Sequence, residues 1–154
     1  MNTVQRFSNR VENYVKFRPS YPPEVLQSFR DEMNLRPDSV IADIGSGTGI
    51  SSKLFLENGN EVFGVEPNDA MRSAAENFLA GYSKFRSVNG TAENTTLNES
   101  SLDFVIAAQA FHWFDPEQTR AEFKRILKDG GFIALIWNER HLDATPFLRE
   151  YEQF

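Results

Sequence analysis

The chain has 154 residues, 40% of them hydrophobic and 25% charged, which predicts one domain, residues 1–154. Its formal net charge of −6 disfavours binding to the phosphate backbones of nucleic acids. The absence of cysteine excludes disulfides and thiolate metal sites and fits a reducing cytoplasm, and two histidines give poor support to a histidine metal centre. The sequence has no N-terminal apolar core and no run of about 18 apolar residues, so we expect neither a signal peptide nor a membrane span.

The first predicted elements are a helix, a strand and a second helix. The first helix is expected to begin near Pro22 or Pro23, because proline suits the first turn of a helix. The apolar run Val40–Ile44 predicts a buried parallel strand. A glycine turn then leads into a helix over about residues 50–58, with Gly59 as its C-cap. The buried stripe of the first helix is predicted to consist of Val25, Leu26, Phe29 and Met33.

The middle of the chain predicts two more strands around a third helix. Residues 61–66 form the second predicted strand, and Asn68 or Asp69 is expected to cap the helix that follows. Residues 85–89 predict a weaker third strand, and residues 90–101 a polar loop. The inward face of this helix is predicted to consist of Met71, Ala74, Ala75, Phe78 and Leu79.

A fourth strand and a fourth helix are predicted next. The strand covers residues 102–107, and the helix is expected to begin with Asp115 as its cap and Pro116 in its first turn. Gly130 and Gly131 are expected to end that helix. Its buried side is predicted to include Phe123, Ile126 and Leu127.

Residues 132–137 complete the pattern as a fifth strand. Strands that alternate with helices in this way predict an α/β fold, a Rossmann-like and mostly parallel sheet with helices on both faces. Ligands bind such sheets beyond the carboxyl ends of the strands, where the strand order switches. We therefore expect the functional residues to follow the strands.

The glycine turn after the first strand is Gly-Ser-Gly-Thr-Gly, residues 45–49. Glycines there let a ligand approach the backbone, and the next helix offers free N–H groups. The dinucleotide fingerprint needs its third glycine at the position of Ile50. Asp43 at the strand end would repel a diphosphate but can face an ammonium group. The sequence of the turn therefore argues against a nicotinamide-dependent dehydrogenase. The alternative to a ligand site is that the glycines only make a tight connection between the strand and the helix.

Residues 41–51, IADIGSGTGIS, resemble motif I of the class I S-adenosylmethionine-dependent methyltransferases. This resemblance implies that S-adenosylmethionine is the cofactor and S-adenosylhomocysteine the product. It places Gly45, Ser46 and Gly47 along the methionine and ribose part of the cofactor. It also places Asp43 near the cofactor amino group, directly or through water.

Glu66 ends the second predicted strand, about 20 residues beyond the glycine turn, where ribose-binding sheets carry an acid. A carboxylate there can accept hydrogen bonds from both vicinal ribose hydroxyls. NAD sites share this feature, so Glu66 alone does not discriminate between the cofactors. Residues 62–72, VFGVEPNDAMR, resemble motif II of the same family, which implies that Asn68 and Met71 flank the adenine.

Two further segments resemble the family. Residues 89–93, NGTAE, are similar to its loop after strand three, which implies that Ala92 and Glu93 meet the adenine edge. Many relatives have aspartate where Thr91 or Glu93 stands, so the residue that accepts a hydrogen bond from the adenine is not assigned. The alternative is that this segment is a polar loop without a role in binding. Residues 108–114, AQAFHWF, resemble the methyltransferase type 11 group, which acts on small molecules.

In that group the segment lies beside the methionine part of the cofactor. This implies that Gln109 lies near the cofactor and that His112 and Trp113 lie near the substrate. His112 could act as a base that removes an acceptor proton. The alternative, which we favour for His112, is packing against the aromatic N-terminal segment. Alignment of the reactants is enough for many methyl transfers, so no catalytic residue is assigned.

The N-terminal segment YVKFRPSYP resembles a lid that folds over the cofactor, with residues 1–21 as its extent. The resemblance implies that Arg18 pairs with the cofactor carboxylate and that Tyr14 stacks over the sulfonium. A disordered tail is the alternative reading of this segment.

Class I methyltransferases usually have seven strands, whereas five are predicted here, so we expect a chain truncated at its C-terminus. The fifth strand would then be an open edge, through which we expect a homodimer. The expected function is methyl transfer to a small-molecule acceptor. The alternatives are an inactive or truncated S-adenosylmethionine-binding domain and, less favoured, an NAD-dependent dehydrogenase.

Overall fold

Five strands form one sheet in the computed structural model, which describes residues 20–139. In chain order the strands are Val40–Ile44 (β1), Glu61–Val65 (β2), Phe85–Val88 (β3), Leu102–Ala108 (β4) and Leu127–Ile136 (β5). They are arranged in the order β3-β2-β1-β4-β5, and each neighbouring pair is parallel. The predicted mostly parallel α/β sheet is thus confirmed. The strand order reverses between β1 and β4, so a ligand crevice is expected above their carboxyl ends.

Each helix begins where the sequence provides a start signal. The helices are Glu24–Met33 (α1), Ile50–Glu57 (α2), Asp69–Phe78 (α3) and Pro116–Ile126 (α4), with a short 3₁₀ helix at Phe111–Trp113. The Asn68 side chain accepts hydrogen bonds from two backbone N–H groups of the first turn of α3, and Asp115 does the same for α4. Pro116 occupies the first turn of α4. Both predicted caps are confirmed.

The helices cover both faces of the sheet and divide the core into two layers. On one face, Phe29 of α1 and Phe55 of α2 pack with Phe104 of β4. On the other face, Phe123 and Ile126 of α4 pack against the sheet. Because successive residues of a strand point to opposite faces, β4 contributes side chains to both layers. A rigid, doubly covered sheet thus fixes the loops that follow the strands.

The predicted end of the fourth helix was wrong. Helix α4 ends at Ile126, and β5 already begins at Leu127. The pairing with β4 then shifts, from Leu102 opposite Leu127 to Phe104 opposite Phe132. The glycine pair 130–131 lies within this irregular part of the strand, and Gly130 has a φ of 78°. These glycines therefore form a bulge in β5 and do not cap a helix.

Two residues that the sequence predicts on the buried sides of helices have other environments in the structure. Phe78 is 43% exposed, because the inward stripe of α3 runs through Met71, Ala75 and Leu79. Lys53 lies 5.6 Å from the centre of the Phe78 ring. Leu127, expected on the buried side of α4, is the first residue of β5 and is half-buried.

Candidate cofactor site

The glycine turn is built from left-handed backbone and is fastened to the end of β2. Gly45, Gly47 and Gly49 have φ angles of 68°, 55° and 83°. The N–H groups of Gly45 and Ser46 both donate to the Val65 carbonyl, at 2.9 and 3.2 Å. A Cβ at Gly45 would lie 2.8 Å from the Ala110 Cβ. The turn therefore lies between the end of β2 and the segment after β4.

Asp43 is fully buried at the end of β1. Its Oδ2 atom accepts hydrogen bonds from the hydroxyls of Ser51 (2.6 Å) and Ser52 (2.7 Å) in the first turn of α2. Burial raises the pKa of Asp43 and outweighs these hydrogen bonds, which lower it. The Oδ1 atom has no hydrogen-bond partner within residues 20–139. Asp43 thus fixes the helix start behind the turn and keeps one buried acceptor available.

Glu66 joins the two loops that follow β1 and β2. Its Oε2 atom accepts from the Gly47 N–H at 3.0 Å, and its Oε1 atom accepts from the Asn68 N–H at 2.9 Å. Burial raises the pKa of Glu66 more than these two hydrogen bonds lower it. Each carboxylate oxygen has a second lone pair. Glu66 can therefore hold both loops and still accept one hydrogen bond at each oxygen.

Asn68 and Met71 lie at the start of α3, directly beyond Glu66. The Asn68 Oδ1 atom accepts from the N–H groups of Ala70 and Met71, at 3.0 and 3.1 Å. Asn68 and Met71 are both buried. The structure therefore brings them beside the Glu66 loop, with the Asn68 oxygen committed to the helix cap.

The loop after β3 is directed towards α4. The Ala92 side chain is buried in the layer of core on the α4 side of the sheet. The Glu93 Oε1 atom accepts from the Asp115 N–H at 2.9 Å. Partial burial alone would raise the pKa of Glu93, but hydrogen bonds from Asp115 and Thr91 keep it below its ordinary value. Glu93 therefore fixes the loop to the start of α4.

Sequence reasoning missed a second anchor of this loop, Glu122 on α4. Its Oε1 atom accepts from the Thr95 N–H at 2.9 Å and also from the Thr95 hydroxyl. Arg125 donates to both Glu122 oxygens, each at 2.7 Å, and to the Leu97 carbonyl at 2.8 Å. The spacing of Glu122 and Arg125 could have indicated an ion pair on the helix. Nothing in the sequence indicated that the pair holds the loop.

The Glu122 anchor predicts a particular dependence of stability on pH. The Arg125 guanidinium, helped by Thr95, lowers the pKa of Glu122 to about 2. Because the folded-state pKa lies below the unfolded value, the stabilisation is complete above about pH 5 and declines between about pH 5 and pH 2. Glu122→Gln should therefore lower the free energy of unfolding at pH 7, and this deficit should shrink in acid. Urea unfolding across this pH range measures the deficit.

Glu117→Gln provides a control, since Glu117 is an exposed residue of the same helix. The buried carboxyls of Asp43 and Glu66 have raised pKa values and act in the opposite direction. They are common to the wild type and both variants, so the difference between proteins isolates Glu122. A Glu122→Gln deficit that is equal at pH 7 and pH 3 would contradict this role.

The segment after β4 turns sharply towards the end of β5. Gln109 has a φ of 57°, its N–H donates to the Ile136 carbonyl at 2.9 Å, and its side-chain amide reaches Asn138 O at 3.5 Å. The His112 ring lies 4.7 Å from the ring of Trp113 and 6.2 Å from that of Trp137. Trp137 was not identified from the sequence, because the pairing of β5 with β4 brings it there.

The predicted lid residues Tyr14 and Arg18 lie outside the described residues. Within residues 20–139, no cluster of histidine and carboxylate side chains is arranged to hold a metal ion. No helix in that part of the chain has the length and apolar character needed to cross a bilayer. The predicted residues that the structure does bring together follow β1, β2 and β4.

Comparison with known proteins assigns the chain to a family. Residues 42–135 match the methyltransferase type 11 model, which describes a methyltransferase domain. The chain belongs to this family. The match includes the glycine turn, the acid after β2 and the aromatic segment after β4. The resemblance of the sequence motifs to methyltransferases is thus confirmed.

Individual relatives agree with this assignment. The methyltransferase domain is 36% identical to an uncharacterized methyltransferase of Mycobacterium bovis over 138 residues, which cover 87% of this chain and 52% of that protein. A solved structure from Anabaena variabilis, described as a methyltransferase from an antibiotic biosynthesis pathway, is 34% identical with a TM-score of 0.68, covering 84% of this chain and 51% of that one.

A second solved structure shares the fold at lower identity. It is the geranyl diphosphate C-methyltransferase of Streptomyces coelicolor, solved with Mg²⁺, geranyl diphosphate and S-adenosylhomocysteine. It is 20% identical with a TM-score of 0.65, and the match covers 85% of this chain and 52% of that one. The chain therefore spans about half the length of the relatives that it matches.

Proposed function

We propose that this methyltransferase domain binds S-adenosylmethionine above the carboxyl ends of β1 and β2 and directs its methyl group to a small-molecule acceptor. The observation that carries the proposal is the geometry of Glu66. Backbone N–H groups of Gly47 and Asn68 hold its two oxygens in place, 3.0 and 2.9 Å away. A carboxylate fixed in this way offers two converging acceptors to the vicinal hydroxyls of a ribose.

The other residues fit the same cofactor. The left-handed turn at Gly45 and Gly47, with Ser46 between them, supports a methionine and ribose moiety in close contact with backbone. The buried Oδ1 atom of Asp43 accepts from the cofactor amino group or from a water that it binds. A diphosphate at this position would meet the Asp43 carboxylate, which supports S-adenosylmethionine over a nicotinamide cofactor.

The remaining proposed contacts concern the adenine and the methionine part. Asn68 and Met71 flank the adenine on one side, and Ala92 and Glu93 contact its edge through the loop that α4 holds. Gln109 lies beside the methionine part, at the end of β4. Tyr14 and Arg18 complete the site as a lid over the cofactor.

The bound cofactor supplies an electrophilic methyl group on a sulfonium. The chain's own residues hold the reactants in line and exclude water, which lowers the barrier to an in-line transfer. A hydroxyl or amine acceptor must also release a proton. His112 is exposed beside Trp113 and is the candidate base, with ring packing as its alternative role. The chain's net charge of −6 favours a small acceptor over a nucleic acid.

The test of this function is a transfer assay on the chain. Incubation with S-adenosylmethionine and sets of small alcohols, amines and carboxylic acids should release S-adenosylhomocysteine, detected by mass spectrometry, above the rate without acceptor. Binding of S-adenosylhomocysteine without turnover on any acceptor would instead favour the alternative, an inactive cofactor-binding domain. Reduction of NAD⁺ to NADH with oxidation of an alcohol from the same set would favour the dehydrogenase alternative.

We also propose that β5 forms a homodimer by pairing with β5 of a second copy. Within the described residues β5 pairs only with β4, which leaves its other edge open. Phe132, Ile133 and Leu135 of this strand are 40%, 51% and 46% exposed. An open edge flanked by exposed apolar side chains is a template for pairing with another strand.

Light scattering should therefore give about twice the mass of one chain at high concentration and a lower mass on dilution. Ile133→Lys should shift the chain towards the monomer, because a charged side chain on an edge strand opposes pairing. Phe78→Lys, which alters an exposed apolar residue of α3, should leave the mass unchanged. A wild-type monomer at high concentration would contradict the dimer.

A further inference from the structure

Both tryptophans of the chain have their rings close to the ring of one histidine. The His112 ring is 4.7 Å from the Trp113 ring and 6.2 Å from the Trp137 ring, at interplanar angles of 45° and 49°. Trp113 is 51% exposed and Trp137 is 43% exposed. Exposed apolar side chains that cluster in one patch often mark a binding site. We call these three side chains the aromatic platform.

The platform is held in place by the backbone beneath it. Gln109 adopts a left-handed conformation with a φ of 57°, and its N–H group donates to the Ile136 carbonyl at 2.9 Å. This bond ties the segment before His112 to the residue before Trp137. A non-glycine residue is held in such a conformation only where its surroundings fix it, and functional sites are where this is often found.

The platform is also connected to the proposed cofactor site. A Cβ at Gly45 would lie 2.8 Å from the Ala110 Cβ and 3.4 Å from the Phe114 ring. Phe111 and Phe114 form an edge-to-face pair with ring centres 5.9 Å apart. The segment that carries His112 and Trp113 thus packs directly on the glycine turn. A molecule on the platform would lie beside the ligand of that turn.

The chemistry of the platform indicates what it recognises. Its surface consists of rings, with no lysine or arginine in the segment from Gln109 to Phe114. An anionic acceptor would find no positive partner in that segment and would be opposed by the net charge of −6. Tilted indole and imidazole rings favour another flat ring, through offset or edge-to-face contacts.

We propose that His112, Trp113 and Trp137 receive the methyl acceptor, and that this acceptor is an uncharged molecule with a planar aromatic ring. The proposal rests on the proposed function, since it defines the substrate class of the same site. It assigns Trp137, a residue beyond the matched family segment, as a determinant of specificity.

Fluorescence provides a direct test, because Trp113 and Trp137 are the only tryptophans of the chain. Tryptophan-selective excitation therefore reports on the platform alone. The probes are 3-phenylpropan-1-ol and 3-cyclohexylpropan-1-ol, which share the same alcohol and differ in their ring. With S-adenosylhomocysteine present, the phenyl compound should change the emission with a Kd about threefold to tenfold lower than that of the cyclohexyl compound.

Matched variants locate the response. Trp137→Leu keeps an apolar side chain and leaves Trp113 as reporter, and it should remove the preference for the phenyl compound. Phe78→Leu removes an exposed ring on α3, 43% exposed, and should keep that preference. Calorimetric titration with S-adenosylhomocysteine should give the same Kd for the wild type and both variants, which shows that the fold and the cofactor site are intact.

Each other outcome overturns the inference in a distinguishable way. If S-adenosylhomocysteine binds but the two alcohols bind equally, or Trp137→Leu keeps the preference, the aromatic acceptor is wrong and the proposed function stands. A change in emission with choline but not with the phenyl compound would contradict the aromatic acceptor and indicate a cationic acceptor instead. Emission that acrylamide cannot quench would show that another segment or copy covers the platform. If S-adenosylhomocysteine does not bind, the proposed function fails, and the acceptor role fails with it.

Discussion

Glu66→Gln is expected to weaken the binding of S-adenosylhomocysteine by about 10- to 150-fold, because the amide loses one of two hydrogen bonds to an ionised carboxylate, each of which contributes about 1.5–3 kcal/mol. The amide keeps the shape of the side chain but can accept at only one end. Its NH₂ group must then face either the Gly47 or the Asn68 N–H group, both of which now donate to Glu66. The loss should appear as a raised Kd in calorimetric titration.

Glu61→Gln is the matched control for this variant. Glu61 begins the same strand, and its carboxylate pairs with Arg86 at 3.2 Å on a half-exposed surface. It undergoes the same change of charge far from the loops, so the Kd should stay within about twofold of the wild-type value. An unchanged Kd in a folded Glu66→Gln variant would show that the ribose hydroxyls do not use this carboxylate.

Gly45→Ala is expected to lower the free energy of unfolding by about 2–5 kcal/mol. A left-handed φ costs a non-glycine residue about 1–2 kcal/mol, and overpacking adds about 1–3 kcal/mol. Both terms apply here, because the φ is 68° and the new Cβ would lie 2.8 Å from the Ala110 Cβ. For a chain of this length the midpoint of thermal unfolding should fall by about 4–20 °C. Circular dichroism at rising temperature measures this shift.

Gly81→Ala separates the loss of glycine from the crowding at the turn. A Cβ at Gly81 would meet no atom within 4 Å. This substitution should leave stability unchanged within about 0.5 kcal/mol, or raise it slightly by restricting the unfolded chain. If Gly45→Ala unfolds at the wild-type temperature, the turn relaxes freely and does not fix the segment that follows β4.

Much of the fold could be predicted because its signals are local. The run Val40–Ile44 is apolar except for Asp43 and became the central strand, and Asn68 and Asp115 each cap a helix with their own side chain. The errors arose where tertiary structure overrides a local signal. The glycines at 130 and 131 are typical of a helix end, but the pairing of β5 with β4 places them in a bulge.

The same distinction between local signals and tertiary packing applies to the residues of the candidate site. Asp43, the glycine turn and Glu66 form recognisable motifs, since a strand end, a turn and an acid lie at fixed spacings in the sequence. The Glu122 anchor and the approach of Trp137 to His112 depend on residues 27 and 25 positions apart in the chain, brought together by packing. Sequence patterns show which residues follow a strand, but not which of them meet across the sheet.

The central claim is that the turn and Glu66 bind S-adenosylmethionine and not a dinucleotide. Parallel calorimetric titrations of the chain with S-adenosylhomocysteine and with NADH test it most directly. The structure predicts saturable binding of S-adenosylhomocysteine at one site per chain and no binding of NADH. Asp43 would repel a diphosphate, and Ile50 stands where the dinucleotide fingerprint requires its third glycine. Binding of NADH with no binding of S-adenosylhomocysteine would contradict the claim.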